Sequence, residues 1–193
     1  VRSAFVTSAN GVGVTHDLGF GTAVAAGNAI IILLHEFHDV QASPAPTVNG
    51  ASGAVAIDFS VDQASGKQSR AYSLPNAASG ATGFRFTTSS SHSNIAGWVL
   101  EISGAATSSM FTAGGSFPSD FGPTELDATA SGASASDFAL AIFSDVPLAN
   151  ITSTRSGFTQ SGDSGSNILL QYNMSTSAGS ITAGATLSAS GLS

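Results

Sequence analysis

The chain has 193 residues, of which 42% are hydrophobic and only 9% charged, with a formal net charge of −7 and no cysteine. Its length suits one all-β domain that buries roughly 70% of its unfolded surface, and the missing cysteines exclude disulfides and thiolate metal sites. Five basic residues, Arg2, Lys67, Arg70, Arg85 and Arg155, are scattered without a stripe, which argues against nucleic acid as a partner.

In chain order, strands are expected at residues 3–8, 14–20, 29–40, 54–61, 68–74, 83–88, 95–103, 109–112, 125–130, 137–143, 151–159, 167–174 and 181–189. Two of them show the period-two signal most clearly. Val55, Ile57, Phe59 and Val61 alternate with Ala54, Ala56, Asp58 and Ser60, and Ile181, Ala183, Ala185 and Leu187 alternate with Thr182, Gly184 and Thr186. Turn-formers separate the strands: Asn10-Gly11, Gly27-Asn28, Pro44-Ala45-Pro46, Asn49-Gly50, Pro75-Asn76, Gly114-Gly115, Pro118, Gly122-Pro123 and the stretch 162–165. No stretch carries a helical period. The expectation is an antiparallel β-sandwich, jelly-roll or immunoglobulin-like, formed by residues 1–193 as a single domain.

The alternation also assigns faces. Trp98, Leu100 and Ile102 oppose Val99 and Glu101; Phe84 and Phe86 oppose Arg85; Ile168, Leu170, Tyr172 and Met174 oppose Gln171 and Asn173. The run 29–34 is apolar on both faces, as a central strand covered on each side requires. It is also far short of the roughly 20 residues that a membrane-spanning helix needs. The N-terminal residues Val1-Arg2-Ser3-Ala4-Phe5 lack the pattern of a signal peptide, which leaves a processed secreted chain or one made in a cytoplasm.

Chemistry-bearing residues are sparse. His35-Glu36-Phe37-His38-Asp39 is the densest set of metal-capable groups, but on a strand Glu36 and His38 point one way and His35 and Asp39 the other. A polar strand end is the expected role, with Glu36 and His38 as candidate contacts to a ligand or partner. Gly162-Asp163-Ser164-Gly165 resembles the segment around a serine-protease nucleophile, yet His16, His35, His38 and His92 lack the flanking context of a catalytic base. The carboxylates Asp58, Asp62, Asp120, Glu125 and Asp127 form no dedicated calcium loop. Asn150-Ile151-Thr152 and Asn173-Met174-Ser175 fit the glycosylation pattern, which arises easily in this composition. Phe111, Phe117 and Phe121, in a Gly/Pro-rich stretch, either pin a long loop or present a stacking surface to a glycan or partner. No catalytic set, cofactor or metal is expected.

Five segments together resemble a β-sandwich module of tailed-phage structural proteins and secreted bacterial proteins. They are Ala26-Gly27-Asn28 leading into 29–34, then Ser73-Leu74-Pro75-Asn76-Ala77-Ala78-Ser79-Gly80, then Gly97-Trp98-Val99-Leu100-Glu101-Ile102-Ser103-Gly104-Ala105, then Leu126-Asp127-Ala128-Thr129-Ala130, and a strand at 137–143. Such modules tend to close with a further apolar strand, whereas this sequence ends at Gly191-Leu192-Ser193. The N-terminal strand is therefore expected to complete the fold, or an edge is left for a neighbour. The resemblance implies a non-enzymatic virion protein, foremost a capsid decoration or cement protein and after it a tail or fibre component, with its own copies and the major capsid protein as partners. A surface of Ser, Thr, Ala and Gly with few charges agrees with packing, because it desolvates at small cost. A secreted carbohydrate-binding or adhesive module is the alternative.

Overall fold

The computed structural model describes residues 2–11, 15–37, 47–49, 56–62, 68–87, 92–105, 125–144, 151–154, 157–161, 168–173 and 176–187. These residues contain no α-helix and form antiparallel sheets, so the protein is all-β. Its contacts divide the chain into two compact units, residues 1–111 and 112–193.

In the first unit, β1 (Arg2–Gly11), β2 (Thr15–Gly19), β3 (Ala29–Phe37), β4 (Thr47–Asn49), β5 (Ala56–Asp62), β6 (Gln68–Leu74), β7 (Gly83–Thr87) and β8 (His92–Ile102) form two sheets. The larger has the order β1-β8-β3-β6-β5 and the smaller β2-β7-β4. As the doubly apolar run requires, β3 is the central strand. Its register sets Ile30 opposite Glu101 and Leu74, Ile32 opposite Val99 and Tyr72, and Leu33 opposite Trp98 and Ala71. Every residue from Ala29 to Leu34 is buried. On one face Ile30, Ile32, Leu34, Tyr72, Leu74 and Val99 pack with Phe20, Val24, Ala77 and Ala81 from two loops. On the other face Ile31, Leu33, Trp98, Leu100 and Ile102 are equally buried. The alternation in β8 thus separates two covered faces, with Val99 fully buried and Glu101 buried at 8% exposure.

In the second unit, β9 (Glu125–Ala133), β10 (Ala139–Ser144), β11 (Ile151–Thr154), β12 (Thr159–Ser161), β13 (Ile168–Asn173) and β14 (Gly179–Leu187) form two three-stranded sheets, β11-β14-β9 and β10-β13-β12. Phe143 of β10 packs with Ala183 and Ala185 of β14, together with Ala128, Ala141 and Phe158, so one small core joins the two sheets. Of the alternation expected over 181–187, Ala183 and Ala185 are each 4% exposed, but Gly184 between them is buried too and Ile181 is only half-buried, like Thr182.

Several boundaries differ from the sequence expectation for local reasons. β9 runs on to Ala133, where a register shift against β14 is accommodated by Gly132 at φ 84°, a conformation that residues with a Cβ resist. β10 begins at Ala139 because Asp137 serves the preceding turn: its Oδ2 accepts the Ser134 N–H at 2.7 Å. The stretch 151–159 is broken by a turn at Gly157 into β11 and β12. β4 was not expected; three residues between turn-formers carry no readable period. The expected strand at 109–112 lies outside the described residues.

The N-terminal strand β1 pairs with β8, while β14 has β9 and β11 as its neighbours.

Candidate functional site: an uncharged rim over a buried carboxylate

Residues 20–28 and 75–82 contain no charged side chain. In each segment a few apolar residues point down and small residues point out. Phe20, Val24, Ala77 and Ala81 are buried in the core, whereas Gly21, Thr22, Ala23, Ala25, Ala26, Gly27, Asn76, Ala78, Ser79 and Thr82 are exposed. The two segments are joined by main-chain hydrogen bonds. Phe20 donates to the Thr82 carbonyl at 2.9 Å, Val24 to Ala81 at 2.7 Å, Gly27 to Ala77 at 3.0 Å, and Ala77 to Asn28 at 2.8 Å. These bonds satisfy loop amides that burial would otherwise strand. Gly27 at φ 84° and Asn76 at φ 52° supply the left-handed residues that the two bends demand.

Beneath this pair of loops lies Glu101, only 8% exposed. Its Oε1 accepts the Ala25 N–H at 2.9 Å and the Asn28 Nδ2–H at 2.7 Å. Asn28 therefore works three ways: its amide donates to the Ala25 carbonyl, its carbonyl accepts from Ala77, and its side chain holds Glu101. A buried carboxylate without such donors would cost several kcal/mol, so the loop and the acid stabilise each other. The three segments quoted for the resemblance, around Asn28, Ala77 and Glu101, are thus brought into one bonded knot.

Chemically the arrangement positions the two loops through Glu101 and Asn28. The carboxylate is turned into the fold, and the surface above it offers Ala, Gly, Ser, Thr and Asn on a backbone already fixed. Such side chains lose little rotamer entropy when covered, and a preformed backbone lowers the ordering cost of association.

The second unit has its own buried polar link. Gln171 on β13 is fully buried, not solvent-facing as the alternation suggested, and its Nε2 donates to the Gly184 carbonyl on β14 at 2.7 Å. Gly184 immediately precedes Ala185, the residue paired with Thr154 of β11, and is itself paired with Asp127 of β9, so the carboxamide reaches β14 just beyond its pairing with β11. Thr176, 5% exposed, fastens the 134–137 turn: its Oγ1 donates to the Ser134 carbonyl at 3.0 Å, and its own carbonyl accepts the Ser136 N–H at 2.9 Å.

Of the residues singled out in the sequence, Phe111, Phe117, Phe121 and His38 lie outside the described residues. Glu36 stands near the end of β3, opposite Ile95 and Gln68. His35 is its neighbour on β3, His92 sits opposite Gly11 on β8, and His16 belongs to the other sheet, opposite Phe86. Among the described residues no three His, Asp or Glu side chains gather as metal ligands do. Gly162-Asp163-Ser164-Gly165 and Asn150 also lie outside the described residues. The Asn28–Glu101 link was missed in the sequence. Its signal was a single carboxylate inside the otherwise apolar run 95–102.

No family model, curated protein or solved structure matches the chain.

Proposed function

We propose that the chain is a non-enzymatic structural protein that acts by packing into a larger assembly. A tailed-phage virion is the setting given by the resemblance, and capsid decoration is the role it favours. Copies of the chain and the major capsid protein would be its partners. In this reading the antiparallel sheets are the layers of a β-sandwich, jelly-roll or immunoglobulin-like.

The observation that carries the reading is the rim of residues 20–28 and 75–82. It is uncharged, made of small side chains, and held from below by Glu101 and Asn28. A contact surface gains by burying apolar area, at about 25 cal/mol per Å², and loses by ordering flexible side chains. This rim keeps the second cost low. An enzyme would need the reverse, with an acid, base or nucleophile presented to a substrate.

Co-sedimentation with purified phage capsids tests the proposal. The chain is expected to pellet with capsids, and Ala26→Arg, which sets a charge in the rim, to weaken binding about tenfold, equivalent to about 1.4 kcal/mol. A chain that stays in the supernatant while binding defined sugars on a glycan array would overturn it in favour of the carbohydrate-binding alternative.

A further inference from the structure

The two edges of the five-stranded sheet are built differently. β5 carries Asp58 and Asp62, and its pairing with β6 shifts register between Ile57 and Phe59. Charges and bulges of that kind turn an edge strand away from a neighbour. β1 has neither device along most of its length. It pairs with β8 without a shift from Arg2↔Glu101 to Ala9↔Asn94, contains no proline, and holds one charged residue, Arg2, at its start. Among the described residues it has a hydrogen-bonded strand on one side only. A long, regular edge without charges is a template for another strand.

We propose that β1 is an interaction edge and that its partner is β1 of a second copy, the two strands running antiparallel about a twofold axis. With the axis at Val6, same-face residues meet as Val6 with Val6, Phe5 with Thr7, Ala4 with Ser8, Ser3 with Ala9 and Arg2 with Asn10. No charge meets a like charge, and the aromatic residue meets a β-branched one, a favourable cross-strand combination. Pairing two β5 strands would instead crowd Asp58 and Asp62 of both copies onto one seam in a chain already at −7. Self-complementarity of one edge is what a twofold dimer requires, and it closes the assembly. The joined sheet would run through both copies as ten strands, β5 to β1 and β1 to β5. This inference does not rest on the rim, which lies on the loops 20–28 and 75–82.

The absence of cysteine makes a direct test possible. Directly opposite residues in an antiparallel pair have Cα atoms about 4.5–5.5 Å apart, within the range a disulfide spans. The full chain is expected to sediment at twice the mass of one copy. Val6→Cys is expected to give a disulfide-linked dimer as the main product of air oxidation, and Ala56→Cys, on β5, to stay unlinked. Ala26→Arg added to Val6→Cys is expected to leave the link intact, which separates this edge from the rim. Unmodified protein supplies a check free of any folding defect: β1 amides should gain hydrogen-exchange protection between dilute and concentrated solution. A monomer at all concentrations with no gain in β1 protection overturns the proposal. So does a dimer that links through Ala56→Cys and not Val6→Cys, or one abolished by Ala26→Arg.

Discussion

The two units reach the same all-β end by different means. In residues 1–111 the central sheet is filled by large side chains, with Trp98, Tyr72, Ile30, Ile32, Leu34 and Leu100 all under 2% exposed. Among the described residues of 112–193 a cluster of Phe143 with alanines joins the sheets, Leu170 is the one large side chain under 2% exposed, and the fully buried amide of Gln171 makes a separate tie between the sheets. The first unit has the area to stabilise itself by burial, and it encloses a carboxylate whose hydrogen bonds fix the loops above. Among the described residues, the second shows fewer large buried apolar side chains and adds polar ties at defined points. Large cores make a rigid base; thin ones make each hydrogen bond count for more.

The largest break in that comparison should come from truncating the first core. Ile32→Ala leaves a cavity between two loops and three strands, and is expected to cost about 2–5 kcal/mol in urea unfolding at unchanged slope. Ala185→Gly, its counterpart in the thin core, should cost about 1 kcal/mol or less. Equal losses would remove the distinction between the two units.

Glu101→Ala comes next. It strands the Ala25 amide and the Asn28 carboxamide beneath the rim, with an expected loss of about 3 kcal/mol and faster hydrogen exchange at Ala25. Glu101→Gln retains an acceptor oxygen and should lose about half as much. If both variants behave alike, the bonds to Oε1 are not what holds the loop.

In the second unit, Gln171→Leu removes the donor to Gly184 while keeping bulk, and is expected to cost about 1–2 kcal/mol, read as a lower midpoint for that unit. Two further effects concern left-handed residues. Gly132→Ala should cost about 1–2 kcal/mol although a Cβ there meets nothing within 4 Å, because the strain is in the backbone. Ser136→Gly, at φ 71°, should leave stability within about 0.5 kcal/mol, the relief of strain offsetting the added chain entropy.

What the sequence made legible follows the same division. Where large apolar residues run unbroken, as in 29–34, strand and central position could be read directly, since burial alone decides them. Where the residues are Ala, Gly, Ser and Thr, pattern gives way to long-range hydrogen bonding. Gln171 reads as a solvent-facing polar residue until β14 supplies an acceptor, and Glu101 reads as the polar side of a strand until Asn28, 73 residues away in sequence, supplies donors. Local period cannot report a partner that folding brings in. The Asp137 turn and the β9 extension were obscured for the same reason, by one side chain-to-backbone bond and one glycine. Of the candidate contacts, Glu36 is placed on the β3 backbone, and Phe111, Phe117, Phe121 and His38 fall outside the described residues.

The most direct measurement is an electron cryomicroscopy map of a tailed-phage particle incubated with the purified chain. The account predicts the chain as an ordered part of its shell, with Ala25, Ala26 and Ala78 buried against a neighbouring subunit and the loop backbone as described here. A map in which those residues face solvent, or a particle that lacks the chain altogether, would contradict it.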